Sequence, residues 1–447
     1  MKELLQHLNH SLTLWILFPA ILGIGFYFTI KLRFPQLTQL KNSFLYLVKK
    51  TPGEAGEVSR FGAISAVLAG NFGTGNISGV AIALATGGPG ALVWMWIMAF
   101  FGSIIQYASC VLGVAFRKKS ADGSYAGGPM YYLRDGLGYK ALAIFFAIFT
   151  MFGAITVGNF AQINSIVLPL QELGFNPFYC SLVIAVCVGI VTLGGIKRLA
   201  SFASFVVPFK ALMYLGTALV IIGLNYDKVG AAFQLMFREA FGFSAFFGGA
   251  MGVGVLKVMT TGFDRGLFAT DAGTGIVPIL QANAKSDHPV KDGITTLIAP
   301  LMVMIVCTAT GLVLIVTGAW QQVGLQSTNM VTYAFSKGLG TNLGGYIVIV
   351  TLILFAYTTI LAWVYCGEKA LEFLIGCKRK YLFRTISIVL VPLGSLMQVH
   401  LIWALADVAI SLMLLINLIG VMGLSQQVIH LSREFLLKPK LLKSFIK

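Results

Sequence analysis

Residues 70 to 79 read GNFGTGNISG, with glycines at 70, 73, 75 and 79, inside an apolar run that extends from Phe61 to Ala85. Asn71, Thr74 and Asn76 offer neutral hydrogen-bond donors and acceptors, and Gly75 lets a ligand approach the main chain closely. Gly costs a helix about 1 kcal/mol relative to Ala, so a run long enough to cross a bilayer is weakened at its middle. Backbone freed there is tolerable in hydrocarbon only where it is buried against protein or lines a cavity. Carbonyls at the end of one half-helix suit a cation, and amides at the start of the next suit a carboxylate. No carboxylate lies in this span. An ammonium group would therefore be held by carbonyls and amide oxygens, and the chemistry fits a small zwitterion whose own carboxylate neutralises a bound cation.

Other chemistries find no such cluster. No nucleophile stands with a base or a metal set, as an enzyme would require, and GxxxxGK[ST] is absent. His288, before Pro289, and His400 have no partner at metal-ligand spacing. The six cysteines fall within or at the edges of apolar runs and read as small packing residues. Isolated polar clusters, rather than polar stripes along several spans, argue against a channel. Asp407 is the clearest acid inside a span, a functional candidate by default or a structural partner for a buried cation. Lys257 is read as snorkelling to the interface.

The elements that position the cluster follow from composition. Of 447 residues, 57% are hydrophobic and only 11% charged, where a soluble chain would carry about a quarter charged. The chain is therefore expected to be an all-α polytopic membrane protein. Eleven spans are predicted, at about 12–30, 61–86, 89–116, 141–168, 178–196, 203–224, 243–262, 291–317, 342–375, 381–397 and 400–427. Lys31 and Arg33 follow the first apolar run, which is read as an extra helix rather than a cleaved leader. The net charge of +16 is distributed as topology, not as a nucleic-acid patch. Lys2, Lys228, Arg238 and Lys337 fall on one side, Lys210 and Lys257 within spans, and the remaining Lys and Arg on the other side. The positive-inside rule then puts the N-terminus out and the C-terminus in, with short polar termini and compact loops suggesting a prokaryotic inner membrane.

Ten spans divide into two sets of five, each led by a glycine cluster: GNFGTGNISG at 70–79 and GGAMGVG at 248–254, where Gly252 is the matching candidate. Five is odd, so the second set inserts upside down, and inverted repeats with interrupted leading helices mark a secondary transporter site. The expected organisation is an extra helix and inner linker over 1–60, a first repeat over 61–224, a second over 225–427 and a basic tail over 428–447. Within the second repeat, 263–290 is too polar to span and is expected to lie under the cytoplasmic mouth as a gate segment.

The stretches GTGNISGVAIAL (73–84), GGPGALVWMW (87–96), GGPMYYLRDGLG (127–138), RGLFATDAG (265–273), HPVKDG (288–293), VCTATGLVLIVTGAW (306–320) and GEKALEFLIG (367–376) together resemble the alanine or glycine:cation symporter family. That resemblance implies a five-plus-five inverted repeat with an additional N-terminal helix. It also implies sodium-coupled, occasionally proton-coupled, uptake of alanine or glycine; no cofactor beyond the transported ion is expected, and the working unit is expected to be a monomer. Carried over by position, it puts substrate contacts at Asn71, Thr74, Gly75 and Asn76, with Gln162 facing the substrate and Trp363 closing a small-residue pocket. It assigns a sodium site to the carbonyls of Ala69 and Phe72 and the hydroxyls of Thr358 and Thr359. Gln162 has a second reading as interhelical glue, the two threonines as bonding to their own helix, and Trp363 as packing. Two departures stand out: ATDAG, with Asp271, where SNEAG is usual, and Met302 and Val303 where Asp-Thr often precedes VCT.

Overall fold

In the computed structural model, which describes residues 9–48, 55–242, 252–325 and 327–444, the apolar run after Ser59 folds as two half-helices. The Ser59 hydroxyl accepts the Gly62 N–H at 3.0 Å and caps the helix Arg60–Asn71. Phe72 leaves the helical region at φ −84°, ψ 65°, Gly73 is extended, and a single tight turn, Thr74–Asn76, precedes the helix Ser78–Gly87. The first expected break is therefore where the glycines put it.

A second break lies further along the chain than the second glycine cluster. Residues 243–251, most of the GGAMGVG cluster, lie outside the described residues, and Gly252 opens the helix Gly252–Thr270. That helix ends at Asp271 (φ 50°), and Gly273 (φ 87°) and Gly275 (φ 93°) turn the chain before it resumes as Ile276–Gln281. The φ values of the two glycines lie in a region that side-chain-bearing residues rarely adopt. The segment runs beside the helix Ala91–Ala115: a Cβ on Gly262 would meet Ala91 and Trp94, one on Gly266 would meet Met95, and one on Gly102 would meet Ala272. At the far end, a Cβ on Gly113 would meet Pro278. From Ala91 to Gly113 is about 33 Å of helix. Residues 263–281, expected as part of a gate segment beneath the mouth, instead complete a traverse of the bundle. The polarity that argued for a loop is buried and paired: Arg265, Thr270, Gln281 and Asn283 are all buried with hydrogen-bond partners.

Seven described helices are long and apolar enough to cross a bilayer: Asn9–Lys31, Ala91–Ala115, Lys140–Glu172, Gly195–Leu224, Pro289–Val316, Leu343–Ile375 and Val399–Gly423. The other expected spans are shorter or divided. Span 61–86 is the broken pair, 178–196 is the 16-residue helix Pro177–Thr192, and 381–397 is Lys380–Leu390 with a turn at Val391–Ser395. Pro392, which has no N–H to donate, sits where that last helix tightens. Basic stretches distant in sequence meet at one end of the bundle. There Arg117 donates to the carbonyls of Ala55, Ala282 and Ala284, Arg384 pairs with Glu368, and Lys369 pairs with Glu372. Burial alone would raise the Asp122 carboxyl at this end, but Lys380 and Ser124 hold it well below the usual carboxylate range.

Candidate substrate and cation site at the facing helix breaks

The two breaks face each other. Asn71 Nδ2 donates to the Thr270 carbonyl at 2.7 Å, and a Cβ on Gly75 would stand 2.7 Å from the Phe268 ring. Asn76 Nδ2 donates to the Asn71 carbonyl at 2.8 Å, and its side-chain oxygen accepts from Cys307 Sγ. Gln162 Oε1 accepts the Thr74 N–H at 3.0 Å, while its Nε2 donates to the Val157 carbonyl. Both amides thus supply partners to backbone groups that the missing helical turn has lost. Removing that partner by Gln162→Ala is expected to lower stability by roughly 1–3 kcal/mol. Thermal melts of purified protein check this.

Four buried polar atoms around the breaks have no protein partner: Asn71 Oδ1, Thr74 Oγ1, Asp271 Oδ1 and Trp363 Nε1. An unsatisfied buried group costs about 1–3 kcal/mol, which a ligand would recover. Amide and carboxylate oxygens accept from an ammonium group, the indole N–H donates to a carboxylate, and the hydroxyl does either. Trp363 is fully buried, and Gly158 and Gly153 admit it: a Cβ on Gly158 would lie 2.4 Å from Trp363 Cβ. One turn earlier, Thr359 Oγ1 lies 3.0 Å from the Ala69 carbonyl and 3.2 Å from that of Gly70. Thr358 Oγ1 and the Phe72 carbonyl both accept from Lys210 Nζ. Thr359 is thus paired with Ala69, and Thr358 with Phe72 through the Lys210 amine, a group not expected there from the sequence.

Both approaches are closed. Away from the basic end, Phe268 packs against Trp403 with the rings tilted by 38° and their centroids 4.5 Å apart, and the Arg265 guanidinium lies 5.0 Å from the Trp403 ring and pairs with Asp407. A cavity of about 460 Å³, bordered by His10, Thr86, Asp264, His400 and Trp403, opens beyond this layer. At the basic end a cavity of about 700 Å³ is lined by Glu57, Lys119, Lys285, Glu368 and Lys380. Tyr365, which also lines it, donates to Asn283 at 2.9 Å.

A family model described as the sodium:alanine symporter family matches residues 1–444. The chain belongs to that family. It is 41% identical to an uncharacterised transporter of Haemophilus influenzae, over 94% of this chain and 92% of that protein. It is 38% identical to the sodium/alanine symporter AgcS of Methanococcus maripaludis, over 93% of each chain. A solved manganese transporter of Eremococcus coleocola shares the fold, with TM-score 0.54 and 14% identity, over 80% of this chain and 79% of that one. The protein is accordingly a multi-pass membrane transporter of the five-plus-five inverted-repeat class and not an enzyme.

Within this family member, Asn71, Thr74, Gly75 and Asn76 share the first break, whereas Gln162 braces that break through the Thr74 N–H. Gly252 starts its helix 19 residues before Asp271 and lies apart from the second break. Asp271, Phe268 and Lys210 join the site without having been singled out for it. Asp271 stood in the sequence only as a departure from SNEAG, and Lys210 only as a charge inside a span. Asp407 pairs with Arg265, the buried cation that one of its two readings called for.

Proposed function

We propose that this symporter carries a small neutral amino acid of the alanine class into the cell, driven by a cation gradient, with the basic end facing the cytoplasm. The observation that carries the reading is the set of unpartnered buried atoms at Asn71, Thr74 and Asp271, which belong to the two facing breaks, and at Trp363, on the helix whose Ala362 meets Gly70 of the first break. Acceptors for an ammonium group and a donor for a carboxylate suit a zwitterion. The close approaches of Phe268 to Gly75 and of Ala362 to Gly70 leave little width for a long side chain. Similarity to a sodium/alanine symporter supports the same substrate class. Alternating access would release the Phe268–Trp403 layer and the Tyr365–Asn283 contact in turn. An ion that completes the site must raise substrate affinity as much as the substrate raises that of the ion.

Uptake into proteoliposomes tests this, using labelled alanine, glycine, serine and glutamine with sodium and protons both more concentrated outside. Accumulation of a small neutral amino acid is expected. Asn71→Ala and Thr74→Ala are each expected to weaken its apparent affinity roughly five- to hundredfold, the equivalent of about 1–3 kcal/mol. A folded protein that accumulates none of the panel rejects the substrate class.

A further inference from the structure

The first spanning helix and the last helix of the chain meet around a second group of cations. The helix Asn9–Lys31 ends at Lys31, and Arg33 and Phe34 then take left-handed φ values of 62° and 57° before the short helix Pro35–Thr38. Such values are uncommon for residues with side chains. The bend is held in place: the Phe34 N–H donates to the Thr29 carbonyl at 2.8 Å, and Gln36 Nε2 donates to the Thr29 hydroxyl at 2.7 Å. From the other end of the chain comes the helix Ser425–Ser444, docked by Ser432 on Tyr107 and by Phe435 on the His288 ring. Two residues before His288, the Ser286 N–H bonds the Ala55 carbonyl that Arg117 also holds, so this meeting point lies at the basic end.

Between the two helices is a cavity of about 500 Å³, bordered by Lys31, Arg33, Thr38, Gln39, Arg433 and Leu436. Among the described residues, none of these three exposed cations pairs with a carboxylate, and no acidic side chain borders the cavity. Like charges around one cavity repel one another. A phosphate group, accepting from lysine and arginine together, would offset that repulsion. Other residues of the same bend border an apolar groove of about 270 Å³, with Leu37, Leu40, Trp96, Phe100, Leu301 and Met304 along it. From Leu297 to Met304, both on its wall, the groove follows about 10 Å of the helix Pro289–Val316 into the membrane. Leu37 and Leu301 stand exposed on it. A charged compartment and an apolar one therefore adjoin at the level where a spanning helix ends, which is the layout of a lipid headgroup above its chain.

We propose that these two cavities bind one anionic phospholipid of the leaflet at the basic end, with its phosphate held by Lys31, Arg33 and Arg433 and an acyl chain in the groove beside Leu37 and Trp96. Three cations without a counter-charge match a lipid of net negative charge better than one that carries its own ammonium. The bound lipid ties the N-terminal helix to the C-terminal one. Neither helix carries a residue of the two breaks, so the site is independent of which amino acid or ion is transported.

Native mass spectrometry tests this on the full chain, released from detergent that contains equal amounts of dioleoyl phosphatidylglycerol and dioleoyl phosphatidylcholine. Retention of phosphatidylglycerol is expected to exceed that of phosphatidylcholine by about tenfold or more, and the melting temperature should rise further with the anionic lipid. The triple variant Lys31→Gln, Arg33→Gln, Arg433→Gln, checked as folded by size exclusion, is expected to lose the preference. If it does not fold, Arg33→Gln and Arg433→Gln singly are each expected to weaken retention severalfold. Glycerol phosphate, which has the headgroup charge without the chains, is expected neither to compete nor to shift melting. Equal retention of the two lipids by the wild type overturns the proposal, as does a preference kept in the triple variant or in both single ones. Competition by glycerol phosphate overturns it as well, and shows a site for soluble phosphate esters instead.

Discussion

Gly158→Ala is expected to cut amino acid uptake roughly ten- to hundredfold, although it adds only one methyl group. The added Cβ would stand 2.4 Å from Trp363 Cβ and 2.9 Å from Cγ. Those atoms lie at the root of the side chain, so a rotamer change cannot relieve the clash and the helices must move apart. Gly158 belongs to the widened turn Ala154–Phe160, whose Asn159 donates to the Ser387 carbonyl and hydroxyl from the other flank. The turn therefore has little freedom to retreat, and overpacking of this kind costs about 1–3 kcal/mol. The strain falls on Trp363 and, one turn away, on the Thr359 contacts to the first break. Gly216→Ala is the control: nothing lies within 4 Å of a Cβ there, and alanine favours the helix. Uptake kinetics and melting temperatures of the two variants check the contrast, and equal behaviour would remove Trp363 from the site.

Asp407→Ala is expected to be the most damaging single change on the side away from the basic end. Arg265 and Asp407 are 7% and 16% exposed at their side chains, so deleting the acid leaves a buried guanidinium facing Phe268 and Trp403 without its hydrogen-bonded partner, though Asp264 still lies near it. Breaking a buried pair from one side costs about 3–5 kcal/mol, whereas replacing both partners by apolar groups is often near neutral. The double variant Arg265→Met with Asp407→Leu should then recover most of the melting temperature. It should not recover tight substrate binding, because the latch over Phe268 is gone and the closed form is no longer favoured. Melting and binding measured on all three proteins separate the two effects. Recovery of both in the double variant would show that the pair stabilises the bundle without gating it.

The first break was legible because its signal is local. Glycines and asparagines inside an apolar run weaken a helix wherever the chain goes next, so residues 70–79 declared themselves without reference to any partner. The basic stretches could be grouped for the same reason, since hydropathy and charge are properties of each segment. The second break misled because polarity was taken as evidence against burial. Arg265, Gln281 and Asn283 are buried by virtue of Asp407, Asp292 and Tyr365, residues separated from them in sequence or by a turn of chain. GGAMGVG looked more like a break than DAGTG did, yet Gly273 and Gly275 are the glycines whose positive φ turns the chain.

By itself, then, the sequence determined that this chain is a helical membrane protein with an interrupted helix near the start of its first repeat, because burial in lipid and helix propensity act on contiguous residues. Tertiary structure alone decided what fills the gap. Gln162 closes the freed Thr74 amide, Asp271 arrives from a segment 200 residues away, and Lys210 places its ammonium on the Phe72 carbonyl from across 138 positions. The reason is physical: an opened turn exposes donors and acceptors at known places, but which groups satisfy them depends on which helices pack there.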